Sequence, residues 1–336
     1  MPRTVPINNI REFICMQAGS LAESPPCSTC SFIQGTDKSP FFGGENVVFA
    51  LQNHNGEAIC MRIRRDVTEW SSYLLNNEVN IRKAIESKGI TAFQRLIDFA
   101  PEGNALIDSP FMMLEWVHGC KLRWTDDFPV DLKERNQIIH AIARVTMDLL
   151  KVQRKGVSAK DYVEAKIKRK IERAQRGEYR GGSAEGCQRQ FDMIGRYWVP
   201  EFDDAPHVLV HGDLGSNNII VDNECHFESV IDLGWSEMVP LQFAAGYPRL
   251  LTYEPTGSSW QTKNTAMMER DRQFYLNCVK ERASTEGGIE LDYYQVLSRD
   301  DEVNRYWWFK AIDQADIHQA MCATNWDPAK SVPISK

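Results

Sequence analysis

Short apolar runs bounded by Gly, Asn and Asp alternate along this chain with longer stretches at helical spacing, and the change of period marks out its elements. Asn46 to Gln52 and Ala58 to Ile63 read as strands joined through Asn53-His54-Asn55-Gly56-Glu57, a hairpin with Gly in its turn. Between Thr68 and Lys88, the residues Trp70, Leu74, Leu75, Ile81 and Ile85 make a buried stripe of a helix. Pro110 to Gly119 is an apolar strand that ends in polar residues. Asp131 to Gly156 carries Leu132, Ile138, Ile139, Ile142, Val145, Leu149 and Leu150 near helical spacing. Asp131 is its N-cap and Gly156 its stop, so this is a central core helix. Farther on, Val208 to Val210, Asn218 to Val221 and Ser229 to Ile231 are β-rich runs that predict a rigid hairpin floor.

Composition agrees with a globular enzyme. The 336 residues suffice for two lobes with sizeable cores, and 43% hydrophobic content is ordinary for such a chain. Thirty-nine basic against 46 acidic residues give a net charge of −7, which argues against nucleic acid as the main partner. No run approaches the roughly 20 apolar residues of a membrane span, and Met1-Pro2-Arg3-Thr4-Val5-Pro6 lacks a signal-peptide core. A soluble cytoplasmic protein without a membrane partner is the expectation. The nine cysteines are odd in number and scattered, so a disulfide framework is not expected. Cys27 and Cys30 form a Cys-x-x-Cys pair, but no second pair completes a zinc site, and residues 1–40 read as an irregular leading segment.

Candidate chemistry concentrates in His211-Gly212-Asp213-Leu214-Gly215-Ser216-Asn217-Asn218, followed by Val230-Ile231-Asp232-Leu233-Gly234. Phosphoryl transfer needs a carboxylate to orient the attacking hydroxyl and oxygen ligands to hold Mg²⁺ against nucleotide phosphates. Asp213 suits the first task; Asn218 and Asp232 suit the second. Asp213 and Asn218 keep the spacing of a kinase catalytic loop, and Asp-Leu-Gly stands where kinases carry Asp-Phe-Gly. Singly, each residue is an ordinary turn former. Together, in order and at the right spacing, they point to ATP and Mg²⁺.

These residues, with Trp235-Ser236-Glu237, Val239-Pro240 and Phe243-Ala244-Ala245, resemble the aminoglycoside phosphotransferase and choline kinase-like family, notably its filamentous-fungal members. The departure is Leu233-Gly234, where those relatives commonly carry Trp-Glu. The resemblance implies an α+β, two-lobed protein-kinase-like fold: a small β-rich nucleotide-binding lobe over 41–117 and a larger, mainly helical catalytic and substrate-binding lobe over 118–336. It further implies that Arg62 stands at the usual phosphate-gripping Lys position and pairs with a helix carboxylate, for which Glu78 is the candidate. His211 belongs to the catalytic loop. Gly43 and Gly44 are the candidate phosphate-covering turn, a poor match to Gly-x-Gly-x-x-Gly. The backbone from Glu115 to Val117 is the hinge that receives adenine, with Met112 or Met113 and Ile231 as apolar walls.

The acceptor is a small molecule carrying a hydroxyl or carboxylate, and its identity rests on weaker signals. Tyr162 to Arg180 is rich in Lys and Arg and is broken by Gly181-Gly182-Ser183, so it reads as a solvated helix or as part of the acceptor site. Its charge argues against cationic acceptors. Asp300, Asp301, Glu302, Trp307, Trp308, Asp313, Asp316 and Trp326 point the other way, toward a cation-binding cleft, unless the tryptophans are core. Two alternatives stay open: a catalytically idle ligand-binding module, and an ATP-dependent enzyme with a transient phosphorylated intermediate. A protein kinase is disfavoured, since His-Arg-Asp does not occur and no Ala-Pro-Glu follows Asp232.

Overall fold

The computed structural model describes residues 31–32, 41–42, 45–52, 56–65, 67–252, 255–256, 259–260, 264–299 and 302–328. The chain divides into two compact units. One is Met1–Cys120 with Glu228–Gly234; the other is Lys121–Phe227 with Trp235–Lys336. Among the described residues no helix is long and apolar enough to cross a membrane.

The first unit is built on an antiparallel sheet of β1 (Ser31–Phe32), β2 (Phe41–Phe42), β3 (Asn46–Gln52), β4 (Ala58–Arg64), β5 (Leu96–Ala100) and β6 (Phe111–Glu115). The strand order is β1-β3-β4-β6-β5, with β2 also paired to β3. Alternation of side chains along a strand gives this sheet two apolar faces. Phe49, Leu51, Ile59, Met61, Ile63, Phe111 and Met113 cluster on one. Cys60, Met112 and Leu114 occupy the other, against Leu75 and Val79 of α1 (Ser71–Ser87). Arg62 follows Cys60 by two residues and is paired in register with Met112, so it stands on the face that α1 covers. The buried stripe of α1 differs from the one its apolar residues predict. Trp70 and Leu74 are exposed, whereas Glu78 and Arg82 are buried beside Leu75, Val79 and Ile85. A buried ion pair turns the helix away from its largest apolar residues.

In the second unit the chain runs through β7 (Cys120–Lys121), α2 (Leu132–Leu149), β8 (Gln153–Arg154), α3 (Ala159–Gln175), α4 (Ala184–Asp192), α5 (Ile194–Tyr197), β9 (His207–Val210), β10 (Ile219–Val221), β11 (Phe227–Val230), β12 (Glu237–Pro240) and α6 (Leu241–Ala244). It closes with α7 (Ala266–Glu286), α8 (Gly288–Leu297), α9 (Glu302–Lys310) and α10 (Ala315–Ala323). β7 and β11 lie at the borders of the two units. Asp131 caps α2 by accepting the Lys133 N–H, but the helix ends at Leu149, before the Gly156 stop, because β8 must pair with β9. β9 lies between β8 and β12, so Val208 to Val210 forms a central strand from which the loop leaves, while of the three predicted runs the later two fall on the paired strands β10 and β11.

Helix packing is fixed by charge as well as by apolar area. Arg135 of α2 donates from Nε to Asp271 Oδ2 of α7 at 2.8 Å and from Nη1 to the Thr125 and Phe128 carbonyls. Its guanidinium also lies over the Trp124 ring at 4.1 Å. Trp307, Trp308 and Trp326 are buried in a core with Val163, Ile167, Phe243 and Phe309, which resolves the tryptophans of this region as packing. The basic helix α3 presents Lys168, Arg169 and Arg173 to solvent but buries Lys170, whose Nζ donates to Gln190 Oε1 and bonds His318 Nδ1, both at 2.8 Å.

Candidate active site

In the first unit the charges converge on Glu78. Its Oε1 accepts from Arg62 Nη1 at 2.7 Å and from Arg82 Nη2 at 2.8 Å. Arg82 is held in turn by the Gln94 carbonyl at 2.9 Å. Burial pushes the Glu78 carboxyl up, but the two guanidiniums outweigh it and hold the group down at about 2. The second arm of Arg62, Nη2, lies 3.6 Å from Asp232 Oδ1. Asp232 is half-exposed and has a left-handed backbone, φ +66°, a conformation that a β-carbon makes costly and that recurs at functional sites. Its Oδ1 also accepts the Gly234 N–H at 3.3 Å.

In the second unit β9 leads into the loop that carries Asp213. Gly212 there has φ +80°, and a β-carbon on it would sit 1.9 Å from the Trp235 carbonyl oxygen, so the close turn demands glycine. His211 is buried; its Nδ1 accepts the Asp213 N–H at 3.3 Å, and its carbonyl accepts from Ser236 Oγ at 3.2 Å. Asn218 Nδ2 donates to the Asp213 carbonyl at 2.8 Å and to Asp213 Oδ2 at 3.1 Å. Asp213 Oδ1 is taken by Arg249 Nη1 at 2.5 Å. Each carboxylate oxygen thus has one fixed partner and a remaining lone pair. With its N–H groups spent on Asp213, Asn218 keeps Oδ1 without a partner among the described residues.

Beside this loop is an open pocket of about 70 Å³. His211, Gly212 and Leu214 of the loop line it together with Tyr247, Arg249, Tyr306 and Lys310. The rings of Phe243 and Phe309 form one wall, stacked at 4.9 Å and 4°.

β6, the candidate hinge strand, ends with its polar backbone unevenly engaged. Glu115 gives its N–H to the Arg95 carbonyl and takes Gln94 Nε2 on its own, each at 3.0 Å. Trp116 N–H is bonded to the Ala58 carbonyl, whereas Val117 N–H and C=O have no partner among the described residues. Ile231 is half-buried, while Met112 and Met113 are buried on opposite faces of β6. Gly43 and Gly44, and the Cys27/Cys30 pair, lie outside the described residues.

The sequence pattern of the phosphotransferase enzyme family (APH) matches residues 42–242, more than half of the chain. The chain belongs to that family. Among solved structures, this family member is similar to a provisionally assigned aminoglycoside phosphotransferase of Ralstonia eutropha jmp134, with 16% identity, TM-score 0.60 and coverage of 98% of this chain and 99% of that one. It is also similar to the streptomycin–ATP ternary complex of APH(2")-IIa, with 12% identity, TM-score 0.56 and coverage of 94% and 96%. At such identity the likeness shows the fold: α+β, two-lobed and kinase-like, with a β-rich N-terminal lobe and a larger, mainly helical C-terminal lobe. A curated relative, Clavilactone A biosynthesis cluster protein Y of Ampulloclitocybe clavipes, is 29% identical over 90 residues, which span 27% of this chain and 22% of that protein.

Three groups of this phosphotransferase-family chain lie beyond what its sequence pattern singles out. Arg82 shares Glu78 with Arg62; its position four residues after Glu78 on a helix was the available signal. Arg249 reaches Asp213 from 36 residues away, a pairing only the fold creates. Lys310 is the last residue of a C-terminal helix, within a stretch whose aromatic content hides its pocket role.

Proposed function

We propose that this phosphotransferase-family chain transfers the γ-phosphoryl group of ATP to a hydroxyl of a small molecule. The observation that carries the reading is the buried Arg62–Glu78 ion pair at 2.7 Å with Asp232 at 3.6 Å from the same guanidinium. That cluster supports reading Arg62 as the phosphate-gripping cation, Glu78 as its steadying carboxylate and Asp232 as a metal ligand, the constellation that nucleotide phosphates and a divalent cation require.

Asp232 in the first unit and Asn218 in the second are each candidates to hold Mg²⁺. Both offer hard oxygen donors, the half-exposed Asp232 carboxylate and the unpartnered Asn218 Oδ1, as Mg²⁺ prefers. Phosphate and water oxygens would supply the rest of its shell. When bound, Mg²⁺ neutralises charge on the phosphates. Arg62 fixes the α- and β-phosphates, and Glu78 keeps its fork aimed. The unused Val117 N–H and C=O suit the edge of adenine, and Ile231 its face.

Asp213 acts by positioning. Arg249 and Asn218 lock its carboxylate, and a remaining lone pair accepts the proton of the acceptor hydroxyl as that oxygen bonds to the γ-phosphorus and the bond to the bridging β,γ-oxygen breaks. ADP leaves. His211 holds the loop through the Asp213 N–H and has no need to touch substrate.

The test is thermal unfolding with and without MgATP for the wild-type chain and Asp232→Ala. Nucleotide bound to the folded state alone raises the midpoint, by about 2.7 kcal/mol at a hundredfold excess over Kd. A magnesium-dependent rise that disappears in Asp232→Ala is the expected result; absence of a rise in the wild type overturns the reading in favour of an idle binding module. Product mass from an ADP-releasing acceptor then separates a final phosphate ester from a transient one.

A further inference from the structure

We infer that the pocket beside Asp213 takes a flat aromatic hydroxy acid, with its ring against the Phe243/Phe309 wall and its carboxylate on Lys310. The phosphorylation of that acid's hydroxyl rests on the reading given above, whereas its binding does not.

The lining of the pocket carries Arg249 and Lys310 and no aspartate or glutamate. A polyamine needs carboxylates in its walls; here Arg249 is already paired with Asp213, and Lys310 is a cation of the lining with no carboxylate in hydrogen-bond reach, so polycationic acceptors are disfavoured. Lys310 also stands differently from other buried cations in this chain. Lys170 and Arg135 are fully hydrogen-bonded where they are buried. The Lys310 side chain is only 12% exposed, yet its nearest carboxylate, Glu237, is 4.0 Å from Nζ, beyond hydrogen-bond reach. Glu237 is shared with Lys166, at 3.6 Å, which is itself bonded to Asp313 at 2.6 Å. No hydrogen-bond acceptor for Lys310 Nζ is found among the described residues. Nζ is not cut off from solvent, and in the open pocket it is available to an arriving anion. Burial pushes the Lys310 ammonium down against the opposing pull of Glu237 and Asp313, and an arriving carboxylate restores what burial removes.

Shape selects the rest of the molecule. Phe243 and Phe309 are stacked on each other, and with Tyr247, Tyr293 and Tyr306 they make the lining rich in aromatic side chains, which suits an aromatic ligand, while Lys310 lies 5.9 Å from the Tyr306 ring. Arg249, whose guanidinium is engaged with Asp213, marks the end at which the hydroxyl meets the catalytic loop. Lys310 supplies the fixed charge that orients the molecule toward it.

Titration calorimetry without nucleotide tests this with three probes: 3-(4-hydroxyphenyl)propanoate, its primary amide, and kanamycin. The wild-type chain is expected to bind the acid at least about tenfold tighter than the amide, a difference of about 1.4 kcal/mol, and kanamycin weakest. Lys310→Met, which keeps length and removes charge, is expected to bind acid and amide alike at an unchanged thermal midpoint. Equal binding of acid and amide by the wild type, tighter binding of kanamycin, or no binding of any probe overturns the inference. So does a folded Lys310→Met chain that still prefers the acid. Should that variant fail to fold, the acid-against-amide comparison on the wild type decides alone. ADP release in the presence of the acid is read separately: binding without release sinks the phosphotransfer reading and leaves the pocket assignment standing.

Discussion

Gly212 shows how one residue governs the site. The turn after β9 brings the Trp235 carbonyl to where a β-carbon would be, at 1.9 Å, and φ is +80°, so Gly212→Ala must displace backbone on one side of Asp213. The expected cost is on the order of 2 kcal/mol or more, read as a lower thermal midpoint, together with loss of transfer. Asp213→Asn separates geometry from chemistry at the next position. Its amide preserves size and some of the hydrogen bonds to Asn218 and Arg249 but cannot take up the hydroxyl proton, so the rate should fall by about 10²- to 10⁴-fold while MgATP still raises the midpoint. An Asn variant that retains near wild-type turnover would remove Asp213 from the proposed chemistry. The pairing of Asn218 with Asp213 is legible in sequence because their spacing is local. Arg249 is not, since its 36-residue separation from Asp213 has no periodic trace.

At the scale of elements, α1 and its sheet are joined by charge placed inside an apolar seam. Apolar spacing alone selects Trp70 and Leu74 for the buried stripe, but a buried Arg62 on β4 requires a carboxylate opposite it, and this rotates Glu78 and Arg82 inward. The helix was legible in its extent; its facing was set by a strand residue elsewhere in the chain. Removing the shared carboxylate in Glu78→Gln leaves two buried guanidiniums uncompensated and should cost about 3 to 5 kcal/mol. The sign with pH follows from the depressed carboxyl. Its stabilisation is fully present above the ordinary value of 4.5 and is lost as pH falls from there toward about 2. Urea midpoints for wild type and Glu78→Gln should therefore converge as pH is lowered through that window, and a constant gap would show that the charge of Glu78 is not what stabilises the seam. The Arg135–Asp271 pair plays the same part between α2 and α7, so Asp271→Ala should be comparably destabilising by the same measurement.

Across the whole molecule, the two units are built by opposite means, a two-faced sheet with a charged seam in one and helices around buried aromatic rings in the other, and acid should act on them through different groups. His318 of α10 lies in the aromatic core of the second unit, its ring edge-on to Trp326 at 5.2 Å and its Nδ1 bonded to Lys170. Burial first, and the neighbouring Lys170 charge second, push its imidazole down to about 3. An unfolded histidine titrates near 6.5, so between 6.5 and about 3 the unfolded chain binds a proton that the folded chain refuses. Stability is thus complete above the upper value and declines as pH falls through the window, beginning well above the range in which Glu78 responds. His318→Gln keeps an oxygen acceptor for Lys170 and removes the titration. Thermal midpoints of the variant should change little between pH 6.5 and 4.5 while those of the wild type fall; parallel curves would assign the acid sensitivity to other groups.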